Sequence, residues 1–70
     1  MITEDDLMFV STNPDSVPQW SVTIGGRAIA EVVQRPISFP TYRVSVSGEE
    51  ERFFMERKEV LEYLVRIMNP

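Results

Sequence analysis

An α+β domain is predicted: a small antiparallel β-meander of three to four strands, packed on one face by a C-terminal α-helix, with a short N-terminal helix alongside. Three observations carry this expectation. Two strand-like runs flank the pair Gly25-Gly26, alternation of apolar and polar residues returns over Thr41–Ser47, and a helical apolar stripe runs from Glu56 to Met68. All 70 residues form one domain, because a chain this short has room for a single small core.

Thr3-Glu4-Asp5-Asp6 opens with a helix-start pattern. Thr3 is placed to cap, Asp6 stands three residues on, and acids in a first turn suit the helix dipole. The apolar run Leu7-Met8-Phe9-Val10 then extends a short helix to about Ser11, with an edge strand over the same residues as the rival reading. Asn13-Pro14-Asp15-Ser16-Val17-Pro18 reads as a turn-rich connector.

Trp20, Val22 and Ile24 alternate with Gln19, Ser21 and Thr23, which gives the first strand one apolar and one polar face. Gly25 and Gly26 both accept positive φ, as a tight primed turn requires. A two-residue turn sets Ile24 opposite Arg27 and puts Arg27, Ile29, Glu31 and Val33 on the tryptophan face. A three-residue turn instead sends Ala28, Ala30 and Val32 to the core, because a slip of one residue exchanges faces. The two-residue turn, which buries Ile29, is the expected one.

Arg35-Pro36-Ile37-Ser38-Phe39-Pro40 interrupts the pattern, since proline cannot donate within a ladder. Tyr42, Val44 and Val46 then alternate with Arg43 and Ser45 in a third strand. Gly48 and Glu49-Glu50-Glu51 turn the chain. Arg52–Met55 fits a short fourth strand, because adjacent aromatics suit a strand better than a helix front, although Ser47 with Glu50 also forms a capping-box pattern. From Glu56 to Met68, Val60, Leu61, Tyr63, Leu64, Val65, Ile67 and Met68 cover an arc of roughly 200° at helical spacing. That is wider than one sheet face requires. Either the N-terminal segment or a second subunit should cover the remainder.

Composition removes much chemistry. The chain has neither cysteine nor histidine, so disulfides, thiolate metal sites, the commonest metal ligand and the commonest general base are all lacking. Lys58 falls on the polar helix face, and no serine has an evident activating partner. The one glycine pair is a hairpin turn and not a phosphate cradle. No catalytic, cofactor or metal residue is therefore assigned, and the chain is not expected to be an enzyme. The default location is the cytoplasm, given no signal-peptide pattern and no apolar run of membrane-spanning length.

Eleven acids against seven basic residues give a net charge of −4, which disfavours nonspecific nucleic-acid binding. The expected function is non-enzymatic protein binding by a small inhibitor or regulatory adaptor. A homodimer is expected, since small domains without staples often rely on association. Candidate partner contacts are Ile37 and Phe39 on the proline-stiffened loop, Arg43 on the polar sheet face, Glu49, Glu50 and Glu51 in the acidic turn, and Tyr63 and Val65 on the wide helix face. A first alternative is an acidic nucleic-acid mimic, of the kind phages encode, that blocks a DNA- or RNA-handling protein. A second is nucleic-acid binding through Arg27, Arg35 and Arg43. Against both stands the plain reading that such charge runs are solvated turns and helix starts.

Overall fold

A computed structural model describes residues 1–12 and 17–69. Its described elements are a 3-10 turn at Glu4–Asp6, five strands and one helix. The strands are β1 (Met8–Ser11), β2 (Gln19–Ile24), β3 (Arg27–Gln34), β4 (Tyr42–Val46) and β5 (Arg52–Phe54), and the helix is α1 (Arg57–Met68). The strands form one antiparallel sheet in the order β1-β2-β3-β4-β5, so the α+β meander has five strands rather than three or four. The connector expected at 13–18 lies largely outside the described residues.

The fifth strand comes from the N-terminal segment, where a helix was the first expectation. The Asp6 carboxylate does accept from the Thr3 N–H at 2.9 Å, so the start signal works, but it closes only one turn. Beyond it, Met8 pairs with Thr23 and Phe9 with Val22. An isolated helix of so few residues is marginal in water. Pairing with β2 supplies backbone partners and sets the Phe9 ring edge-on to Trp20 at 6.3 Å between centroids.

The hairpin register combines both readings of the sequence. Gly25 and Gly26 take φ of 58° and 83°, and Ile24 lies opposite Arg27, so the turn has two residues. A bulge follows at once. Thr23 faces Ala28 whereas Val22 faces Ala30, which leaves Ile29 as the extra residue. The bulge reverses the parity of β3. Ala30 and Val32 enter the core, Glu31 points out, and the expected set Arg27, Ile29, Glu31 and Val33 does not share the tryptophan face. The gain is physical: a carboxylate stays in water and a branched apolar side chain takes its place.

Val22, Ala30, Val32 and Val44 from the sheet and Val60 and Leu64 from α1 form the buried core, with Phe9, Trp20, Tyr42, Val46, Phe54 and Tyr63 among the residues packed around it. Arg52–Phe54 is a strand, as preferred, and α1 begins one residue after Glu56. Glu59 accepts from the backbone N–H groups of Glu56 at 3.0 Å and Met55 at 3.2 Å, which satisfies donors that the first helical turn leaves over.

The second side of α1 is covered in part from within the chain. Asn69, just past the helix, accepts from the Ile2 N–H at 2.9 Å and donates to the Ile2 carbonyl at 2.7 Å. Its amide also donates to the Val65 carbonyl at 3.0 Å. The N-terminal segment therefore lies along part of the wide apolar arc, with Leu61, Val65 and Met68 half-buried.

Candidate functional site

The described surface has three features of functional interest: the loop between β3 and β4, the sheet face opposite α1, and the free edge of β1. The loop is built by its prolines and held at its base. The Arg35 N–H donates to the Thr41 carbonyl at 2.7 Å, and its guanidinium donates to the Pro40 carbonyl. That guanidinium also lies over the Phe53 ring, 4.8 Å from the centroid. From this pinned base Ile37 and Phe39 project, 91% and 76% exposed. Neither folds back over the sheet.

The face opposite α1 carries the row Ser21, Glu31 and Ser45 in register, and beside it the row Gln19, Val33, Arg43 and Phe53. Gln19 donates to the Glu31 carboxylate, and Arg43 stands 3.8 Å from Glu51 in an ion pair open to solvent. Phe53 also stands on this face. Pairing with Arg43 puts it there, and Arg35 shields its ring.

The proposed contact residues fall into separate places. Ile37 and Phe39 share the loop, and Arg43 and Glu51 share the open face. Glu49 and Glu50 are exposed in the β4–β5 turn, where the Glu49 N–H donates to the Val46 carbonyl at 3.0 Å. Tyr63 is half-buried against Phe54, at 5.2 Å between ring centroids, and Val65 is half-buried beside the Ile2–Asn69 clasp. Arg35 and Arg43 meet around Phe53, whereas Arg27 stands apart at the hairpin corner. The acidic runs precede opposite edge strands, Glu4–Asp6 before β1 and Glu49–Glu51 before β5.

The β1 edge is the rival reading of the N-terminal segment, and the residue that covers it is one that sequence reasoning missed. Arg57 at the start of α1 lies over Phe9 at 4.4 Å and over Trp20 at 5.6 Å. Met8 and Val10 point to the other face, 65% and 44% exposed. The rival strand reading of Leu7–Val10 was the available signal.

Among the described residues no cluster of three or more acidic side chains is arranged to hold a metal ion. No described helix is long and apolar enough to cross a membrane. The chain matches no family model, no curated protein and no solved structure.

Proposed function

We propose that this chain is a non-enzymatic protein-binding module, a small inhibitor or regulatory adaptor that works as a homodimer and grips its target with the β3–β4 loop. One observation carries the reading. Two large apolar side chains, Ile37 and Phe39, stand almost fully exposed on a five-residue segment fixed at both ends by Arg35 and Thr41. Apolar groups already held in place lose little entropy on docking, and central apolar anchors supply most of the energy in protein interfaces. Isolated exposed apolar residues are ordinary. Two on one tethered loop are better placed to insert together into a partner's pocket.

The test is affinity capture from the native host with wild-type chain and with the double variant Ile37→Glu/Phe39→Glu, followed by mass spectrometry. Both side chains lie outside the core, so the variant should melt with the wild type. A partner held by the wild type and lost by the variant supports the reading. An identical set of captured proteins refutes it.

A further inference from the structure

We infer that the dimer forms edge to edge, with β1 of one copy pairing antiparallel with β1 of a second across a two-fold axis at Phe9. This rests on the homodimeric part of the reading above and names the surface that makes it.

The backbone geometry of β1 dictates the register. The Thr12 N–H donates to the Gln19 carbonyl at 3.0 Å, and Thr12 follows directly on the pairs Val10–Ser21 and Ser11–Trp20. Hydrogen-bonded and non-bonded pairs alternate along an antiparallel ladder, so Met8 and Val10 direct their peptide groups inward to β2. Phe9 and Ser11 then direct theirs outward, and no other described backbone group bonds to them. β1 is the outermost strand of the sheet. It contains no charge and no proline, the usual devices that discourage edge pairing.

A two-fold axis at Phe9 uses these outward groups. Phe9 meets Phe9 of the second copy as a hydrogen-bonded pair, and Ser11 meets Leu7, giving about four backbone bonds across the edge. Met8 then faces Val10 in the closely spaced non-bonded pairs, so two exposed apolar side chains cover each other on the open face. On the helix side the two Phe9 rings become neighbours beneath Arg57. Helix α1 packs mainly on β4, β5 and the Glu4–Asp6 turn and reaches β1 through Arg57, which lies over the Phe9 ring and not across its peptide groups.

Charge selects the antiparallel direction and favours a second copy over a charged strand. Side-by-side parallel pairing would align the two Glu4-Asp5-Asp6 runs. The two-fold arrangement separates them by roughly 20–25 Å, well beyond the Debye length at physiological salt. Apart from Arg57 over Phe9, the β1 edge carries no side-chain charge and offers little to a basic or acidic peptide. Its own sequence meets it apolar to apolar. The contact is short, so the dimer should be weak and its population concentration-dependent. Two copies of net charge −4 repel, so added salt should tighten the dimer.

Sedimentation equilibrium on the wild type, Ser11→Pro and Val10→Lys tests the proposal. Ser11→Pro removes only an outward N–H, and Val10→Lys puts a charge on an exposed position, so both should keep the wild-type circular dichroism. A wild-type dimer that tightens with salt and weakens at least tenfold in both variants is expected. A mixed sample of labelled and unlabelled wild type should show an intermolecular contact between the α-protons of Met8 and Val10. A dimer that survives in both folded variants, or lacks that contact, overturns the β1 interface while leaving dimerisation intact. A wild-type monomer at millimolar concentration overturns the dimer itself and leaves the loop reading standing.

Discussion

The two edges of this sheet differ in how the chain disposes of their unpaired peptide groups. The β5 edge is three residues long, begins with Arg52, and follows Glu49-Glu50-Glu51. Side chains clasp it on both faces, Phe54 against Tyr63 and Phe53 under Arg35. The β1 edge is four uncharged residues held by the ladder to β2, the Phe9–Trp20 contact and one arginine. Shortness, charge and cover are ways natural sheets block association at an edge. One edge of this molecule has all three; the other has Arg57 over Phe9 and no charge or proline within its strand.

The contrast can be broken hardest from the β5 side. Leu64 is fully buried in the core, and α1 packs mainly on β4 and β5 within the sheet. Leu64→Ala should cost about 2–5 kcal/mol, comparable with the whole stability of so small a domain. Urea titration should show a chain largely unfolded at 25 °C. Asn69→Ala removes the clasp on Ile2 and should cost about 1–2 kcal/mol in the same assay, with fraying of the N-terminal segment ahead of β1.

Arg57→Ala sharpens the comparison, because it uncovers Phe9 and Trp20 and leaves the β5 clasp alone. A loss of about 0.5–1 kcal/mol is expected, with shifts in the Trp20 and β1 resonances larger than those of β5. Glu51→Gln, which weakens a solvent-exposed pair with Arg43, should change stability by less than about 0.5 kcal/mol. A larger effect would show that the β5 edge leans on charge more than the geometry indicates.

Much of this architecture was legible in the letters because local signals and burial agreed. The stripe from Val60 to Met68 and the alternation through Tyr42–Val46 each name one structure and one face, and the Gly25-Gly26 pair names the corner. The N-terminal segment was misread because its capping pattern is real but short, and the strand that overrides it depends on Trp20 and Val22, distant in sequence. The bulge at Ile29 was hidden for another reason. The two-residue register put Glu31 on the core face and the three-residue register turned Ile29 away from it, and a bulge after a two-residue turn satisfied β3 better than either. Of the candidate contacts, the exposure of Ile37 and Phe39 follows from prolines that hold the loop off the sheet. The neighbours of Tyr63 and Val65 depended on where the N-terminal segment and β5 settled, which no spacing records.

Amide hydrogen exchange of the wild type, resolved by residue at low and high protein concentration, tests the difference between the edges most directly. Protection of Phe9 and Ser11 should rise with concentration while that of Arg52, Phe53 and Phe54 stays constant. Concentration-independent exchange at Phe9 and Ser11, or a rise confined to β5, would contradict an open and self-complementary β1.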